Sequence, residues 1–156
     1  MAKPAFNAYI NSCFKAGINP AKRVMQTLGS AAASAGTHGR DGTLNGEDYS
    51  AAVDLRTRDL NVAEIKSLIK ALTENGFVAW YRHTGSFETN RHIHAIYVGL
   101  PMKKMLRAQV VDFLNDRTGL VGHATEKFYT APRATDLVIQ TLFIHANPQM
   151  SKVILG

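Results

Sequence analysis

The chain has 156 residues, of which 46% are hydrophobic, and its formal net charge is +6 at pH 7. A chain of this length buries one sizeable core but is too short for two ordinary domains, so we expect a single domain over residues 1–156. The lone cysteine, Cys13, excludes an internal disulfide. No stretch approaches the roughly 20 consecutive apolar residues that a membrane span requires, which excludes membrane insertion.

The N-terminal segment lacks the basic and apolar regions of a secretory signal, so we expect a soluble protein that is cytoplasmic when made. A sequence pI near 9.6 favours a polyanionic partner such as nucleic acid, an anionic membrane or an acidic cell-wall polymer. The basic residues are scattered, without the runs typical of nucleic-acid-binding tails, and an ordinary solvated surface explains them equally well. The charge alone therefore selects no partner.

Two helices are predicted at the start of the chain. Apolar residues recur at helical spacing over residues 4–16, and Gly17 follows as a helix stop. Pro20 is expected to open a second helix, which would carry Val24 and Met25.

Residues 30–46 are rich in small and polar residues and predict a long loop. Long loops inside compact domains are usually functional, which draws attention to His38. Residues 49–55 then predict a short buried strand that carries Asp54.

The remaining elements alternate between helices and strands. Asn61 and Glu64 form a capping-box pattern at the start of an amphipathic helix. Residues 77–82 and 92–98 predict two adjacent antiparallel strands, and Pro101 is expected to begin another helix. Residues 135–144 fit a helix or a strand. This order predicts an α+β fold in which a small antiparallel sheet is flanked by helices.

Two histidines, His92 and His94, stand two residues apart on a predicted strand, so both rings project from the same face. Burying two imidazoles side by side is costly unless a metal, a carboxylate or a substrate phosphate lies between them. The alternative is a pair of partly exposed histidines on a solvated sheet face.

Asp54 is an unusual residue for a buried strand unless another group compensates its charge. A catalytic zinc site commonly uses three protein ligands and one open position, and two histidines with one carboxylate suit that pattern. The alternative for Asp54 is a cap or turn residue before Arg56 and Arg58.

The sequence resembles the zinc peptidases grouped with D-Ala-D-Ala carboxypeptidases, L-alanyl-D-glutamate endopeptidases and lysostaphin-type enzymes. The resemblance covers about residues 34–100 and rests on a histidine, the segment Ser-Ala-Ala-Val-Asp-Leu at 50–55, a helix ending in Gly-Phe at 76–77, and a strand with His-x-His. It implies that His38, Asp54 and His94 bind Zn²⁺.

The same resemblance implies that His92 assists the attacking water or stabilises the tetrahedral intermediate, and Glu88 is a further candidate that could reach in from its loop. The carboxypeptidase branch has its first histidine seven residues before the aspartate, where this chain has Glu47, so Glu47 is an alternative third ligand. That branch also has an acidic residue three positions before the last ligand, where this chain has Arg91.

The implied activity is hydrolysis of an amide bond in a peptidoglycan stem peptide. Zinc would activate water and polarise the scissile carbonyl, and the basic surface would suit an acidic wall polymer. A wall hydrolase without a secretion signal would be typical of a phage endolysin, which acts on the wall after release.

Two other functions remain open. A strand with His-hydrophobic-His also occurs in replication and transposition nucleases, where the histidines bind Mg²⁺ or Mn²⁺ and a tyrosine, here Tyr129 or Tyr97, attacks a DNA phosphate. A non-catalytic zinc-binding relative is the third possibility. We expect no stable nucleic-acid partner.

Other residues have weaker functional signals. Trp80, Tyr81 and Arg82 could line a substrate groove, although aromatic residues on a central strand usually belong to the core. His123 is expected at the surface, and Cys13 is expected to be an inert packing residue.

Overall fold

The structure is a computed structural model that describes residues 1–26, 42–44 and 47–156, with the backbone alone described at 42–44, 47 and 48. Within these ranges the chain forms five α-helices and six strands. In chain order they are α1 (Lys3–Ala16), β1 (Val24–Gln26), β2 (Gly42–Leu44), β3 (Glu47–Tyr49), β4 (Ala52–Arg56), α2 (Val62–Glu74), β5 (Phe77–Arg82), β6 (His92–Tyr97), α3 (Lys104–Leu114), α4 (Arg133–Ala146) and α5 (Ser151–Leu155).

Four of the described strands form an antiparallel sheet in the order β1-β4-β6-β5, and β2 pairs with β3 in a separate hairpin. The fold is α+β, as the sequence predicts. Strand β6 lies between β4 and β5, and the register places Asp54 opposite His94 and His94 opposite Trp80. Residues directly opposite each other on neighbouring strands share a face of the sheet.

The two faces of the sheet cover separate apolar clusters because strand side chains alternate between faces. On one face, Val53, Leu55 and Ile93 pack with residues of α1 and α2. On the other, Trp80 and Ile96 pack with residues of α3 and α4. The polar residues of interest lie on this second face, beside an apolar core.

Several predicted elements are confirmed. Helix α1 ends at Gly17, whose positive φ of 70° is the left-handed conformation common after a helix. Helix α2 has the predicted capping box, with the Asn61 side chain accepting from the Glu64 amide at 2.8 Å and the Glu64 carboxylate accepting from the Asn61 amide at 3.0 Å. Strands β5 and β6 form the predicted antiparallel pair, and Cys13 is buried.

The second predicted helix is wrong, because Val24 and Met25 lie in β1, where Val24 pairs with Leu55 of β4. The buried Arg23 holds this edge in place through two hydrogen bonds, of 3.0 and 2.9 Å, to the Asp59 carboxylate. Both interactions join distant parts of the chain, and local helical spacing does not reveal them.

Three other boundaries also differ from the expectation. The predicted long loop over 30–46 contains β2 at its end, while residues 27–41 lie outside the described structure. The predicted strand 49–55 is divided between β3 and β4, and the helix expected from Pro101 begins at Lys104. Residues 135–144, which fitted two structures, belong to α4.

None of the helices in the described part of the chain combines the length and the apolar character needed to cross a membrane.

The stability of the fold depends on pH through Asp136, which lies in the first turn of α4. One of its carboxylate oxygens is buried without a hydrogen-bond partner among the described residues. Burial and the negative charge of Asp116, opposed by Arg133, raise the pKa of Asp136 from 3.8 to about 6. The folded state therefore holds this proton more tightly than the unfolded state, so stability decreases as the pH rises through that interval.

We expect Asp136→Asn to raise the free energy of unfolding by about 1 kcal/mol near pH 7.5, a value reduced for partial solvent screening. Near pH 4 the gain should almost vanish, since the carboxyl group is then mostly protonated. Urea denaturation at both pH values measures the difference. A larger gain at the lower pH would contradict this account.

Candidate functional site

The candidate site lies on the face of the sheet that packs against α3. Asp54, His94 and Trp80 lie opposite one another on three adjacent strands, and the next positions along this face are Arg56, His92 and Arg82. All of these except Arg56 are at most 9% exposed. The sheet register thus gathers an unusually polar set of residues in a buried position.

Asp54 and His94 are in direct contact. The Asp54 Oδ1 atom lies 3.1 Å from Nδ1 of His94, and the two residues are 9% and 6% exposed. A buried carboxylate needs compensation from a hydrogen-bond donor or a cation. The fold thus brings together two of the three residues predicted to bind zinc, although they are 40 positions apart.

The second ring nitrogen of His94 is also engaged, since Nε2 lies 2.8 Å from Oε1 of Gln109 on α3. Burial lowers the pKa of His94 below its usual value, which favours the neutral ring with a single N–H. If Nε2 donates this hydrogen to the Gln109 carbonyl, the Nδ1 lone pair points at the Asp54 carboxylate. Two electron-rich atoms at this distance need a cation between them.

The alternative tautomer has Nδ1–H donating to Asp54, with the Gln109 amide rotated so that its NH₂ group donates to Nε2. Both assignments satisfy the ring, because the two orientations of an amide fit the same heavy-atom positions. Metal-binding histidines usually donate their second N–H to a carbonyl or carboxylate. Gln109 is suited to that role in the first assignment.

His92 is held in a single orientation. Its Nδ1 atom lies 2.8 Å from the Asn90 carbonyl oxygen, to which it must donate. In the neutral ring, Nε2 is therefore unprotonated, and this atom lies 3.8 Å from Oδ1 of Asp54. His92 thus presents a proton acceptor beside the Asp54–His94 pair.

Trp80 forms one wall of the site. Its ring stacks on His94 with the centroids 5.8 Å apart, and its indole N–H donates to the Arg117 carbonyl at 2.9 Å. The guanidinium carbon of Arg82 lies 5.0 Å from the Trp80 ring centroid. Trp80 therefore contacts Arg82 on the edge strand β5 as well as His94 in the site.

Sequence reasoning missed Gln109, although a signal for it exists. In α3 the buried residues Leu106, Val110 and Phe113 mark the face turned toward the sheet, and Gln109 lies on that same face. A polar residue on the apolar face of a helix indicates a specific hydrogen-bond partner.

The other predicted site residues have mixed placements. His38 lies outside the described residues, and for Glu47 the structure describes only the backbone, in β3. Glu88 is exposed and lines a cleft with Arg56 and Arg91. The described residues contain no set of three histidine, cysteine or acidic side chains arranged to hold a metal ion. Asp54 and His94 would therefore need a third ligand from another part of the chain.

The two tyrosines considered as nucleophiles lie away from the histidine pair. Tyr129 packs with the cluster on the opposite face of the sheet, which includes residues of α2. Tyr97 packs on that same face, against Phe77 at 5.3 Å between ring centroids. Neither tyrosine is placed for attack on a group bound at His92 and His94.

Comparison with protein-family models, with curated proteins and with solved structures gives no match to this chain.

Gly119 packs closely against the Trp80 ring, which forms one wall of the site. It has a φ of +73°, and a Cβ atom at this position would lie 3.1 Å from the Trp80 ring. A Cβ atom on Gly122, which has a φ of +95°, would meet no heavy atom of the described residues within 4 Å. We expect Gly122→Ala to cost about 1 kcal/mol from backbone strain alone, and Gly119→Ala to cost about 1–3 kcal/mol more, because the indole must move.

Urea denaturation compares the two variants, and the fluorescence of Trp80, the only tryptophan in the chain, reports the displacement. Equal losses of stability and unchanged fluorescence in both variants would show that Gly119 does not restrain the ring.

Proposed function

We propose that the protein is a zinc-dependent peptidase that cleaves an amide bond in peptidoglycan stem peptides. The observation that carries the proposal is the buried contact between Asp54 Oδ1 and His94 Nδ1 at 3.1 Å, with Gln109 on the second nitrogen of His94. His38 is the proposed third ligand, and Glu47 is the alternative. The family resemblance of the sequence supports this assignment.

The donor atoms fit zinc. Zinc binds imidazole nitrogen and carboxylate oxygen at about 2.0 Å, and two such ligands at tetrahedral angles lie about 3.3 Å apart. The observed distance of 3.1 Å between Asp54 Oδ1 and His94 Nδ1 is close to this value. A neutral His94 whose Nε2–H bonds to Gln109 offers its remaining lone pair on the correct side.

Zinc, when bound, supplies a Lewis acid that polarises the scissile carbonyl and lowers the pKa of water. The proton then has to be handled by the protein. His92 can accept it at Nε2 and return it to the leaving amine, because the hydrogen bond from Nδ1 to Asn90 keeps Nε2 as the acceptor. Glu88, exposed in its loop, is the weaker candidate for this role.

The substrate class and place of action follow from the resemblance and the charge. A net charge of +6 suits an acidic wall polymer. An endolysin, made in the cytoplasm and acting on the wall after release, is the setting that we propose.

Metal content is the first test. Purified protein should contain about one zinc per chain by plasma emission spectrometry, and His38→Ala, Asp54→Ala and His94→Ala should each lose it. His123→Ala is a matched control, since its Nδ1 lies 2.8 Å from the Asp112 carboxylate in another histidine–carboxylate pair. Circular dichroism checks that every variant is folded. Zinc retained in both Asp54→Ala and His94→Ala would rule out the site.

A further variant, at His92, separates the peptidase from a non-catalytic relative. His92→Ala should keep its zinc but lose about 10²–10⁴-fold in the rate of hydrolysis of peptidoglycan fragments, as expected for a general acid–base residue. Zinc binding by the unmodified chain without any release of amino groups from these fragments would favour a binding protein.

Gln109 provides a second, independent prediction. Removing the outer partner of a metal-binding histidine typically weakens metal affinity by about 10–100-fold. We therefore expect Gln109→Leu to raise the zinc dissociation constant by about that factor, while Gln140→Leu, on α4, leaves it unchanged. Competition with a chelating dye measures both constants, and an unchanged constant in Gln109→Leu would contradict the tautomer assigned to His94.

A further inference from the structure

A cleft of about 330 Å³ opens beside the candidate site, where the end of β5 meets the chain segment after α3. Its lining combines cationic, aromatic and polar residues. They include Arg82, His83, Thr118, Glu126, Lys127 and Phe128. Neither zinc binding nor proton transfer, as proposed above, uses any of these side chains.

Arg82 is the unusual member of this lining, being a cation that is only 6% exposed. A guanidinium group has five N–H donors. Within the described part of the chain, its hydrogen bond goes to one acceptor, the Thr118 carbonyl, at 2.5 Å. Burial lowers the pKa of Arg82 to about 10, still well above neutral pH, so the group keeps its charge.

No carboxylate among the described residues forms an ion pair with Arg82. Glu126, the acidic residue of the cleft, has its Oε2 atom occupied by the backbone amides of Phe128 and Tyr129, at 2.9 and 3.1 Å. The charges of Glu126 and Asp54 act on Arg82 only from a distance. A buried cation that has one hydrogen-bond acceptor among the described residues is costly unless a ligand completes its hydrogen bonds.

The position of Arg82 relates the cleft to the candidate metal site. Its guanidinium group lies over Trp80, and the Trp80 ring also stacks on His94, at 5.8 Å between centroids. The two distances place the Arg82 guanidinium group at most about 11 Å from the His94 ring, a span that about three residues of extended peptide cover.

The remaining walls of the cleft suit the rest of a peptide. Tyr81 and His83 stack with their ring centroids 4.3 Å apart, and Phe128 packs against both rings. Lys127 is exposed at the rim of the cleft and adds a second positive charge. The aromatic wall can contact an apolar side chain next to a charged group.

We propose that this cleft binds a carboxylate of the peptide substrate, with the Arg82 guanidinium donating a pair of hydrogen bonds and Lys127 contributing at the rim. Arginine matches the planar, two-oxygen geometry of a carboxylate. The ligand class is an acidic peptide whose carboxylate is either its C-terminus or a side chain. That this peptide is also the one cleaved rests on the proposed function, whereas carboxylate binding does not require zinc.

The test is a fluorescence titration of zinc-free protein, with Trp80 as the reporter. Three probes are used: N-acetyl-D-Ala-D-Ala, the same dipeptide as its C-terminal amide, and N-acetyl-L-Ala-D-Glu as its α-amide, which carries only a side-chain carboxylate. Tight binding of the first probe alone identifies the C-terminal carboxylate as the ligand. Tight binding of the third identifies a side-chain carboxylate.

Variants assign the binding to the cleft. Arg82→Gln should weaken binding of the preferred probe by at least about tenfold, the loss expected for one charge-assisted hydrogen bond. Lys127→Gln, at an exposed position that cannot disturb the core, should weaken it by about threefold. Lys152→Gln, exposed on α5, is the matched control and should bind as tightly as the unmodified protein. If Arg82→Gln does not fold, the affinities of Lys127→Gln and Lys152→Gln for the preferred probe still test the proposal.

The proposal is overturned if the uncharged amide binds as tightly as both acids, if no probe changes the fluorescence, or if Lys127→Gln binds like the control. These results are separate from those for zinc. A chain that binds no zinc but binds a carboxylate through Arg82 would refute the peptidase and keep the cleft. A chain that binds zinc but none of the acids would refute carboxylate binding in the cleft and keep the zinc site.

Discussion

Strand β6 pairs with β4 on one side and with β5 on the other, and every contact in the candidate site depends on this arrangement. The register places His94 between Asp54 and Trp80, so that a carboxylate and an aromatic ring contact the same imidazole. A shift of one residue in either pairing would move the partners of His94 to the other face of the sheet. The apolar clusters on both faces oppose such a shift, because it would bury polar residues and expose apolar ones.

The site forms where the apolar core between the sheet and α3 gives way to polar groups. Ile96 and Val78 continue the column of His94 and Trp80 into the core, while His92 and Arg82 continue it toward the surface. At this boundary each buried polar group needs a partner, and Gln109, Asn90 and the carbonyl of Thr118 supply some of them. The Asn90 carbonyl fixes the proton of His92 on Nδ1, and the orientation of the Gln109 amide decides the tautomer of His94.

Arg82 differs from the other polar residues at this boundary because, among the described residues, only the Thr118 carbonyl accepts a hydrogen bond from it. The structure therefore holds two adjacent groups of opposite preference: Asp54 and His94 are suited to a cation, and Arg82 to an anion. The Trp80 ring contacts both Arg82 and His94. A peptide carrying a carboxylate near the bond to be cleaved matches this arrangement, which is why the two proposals reinforce each other.

The sequence by itself determined the α+β class, helices α1 and α2, the antiparallel pair β5–β6, and the candidate pair Asp54 and His94. These features depend on local periodicity, helix caps and the cost of burying a charge in a strand, all of which are visible in short segments. The tertiary structure alone decided that Val24 belongs to a strand, that Gln109 contacts His94, and that Arg82 lies buried over Trp80. The first two depend on contacts between residues at least 15 positions apart, and the third depends on how deeply the edge strand β5 is covered. Only the packed chain determines such contacts.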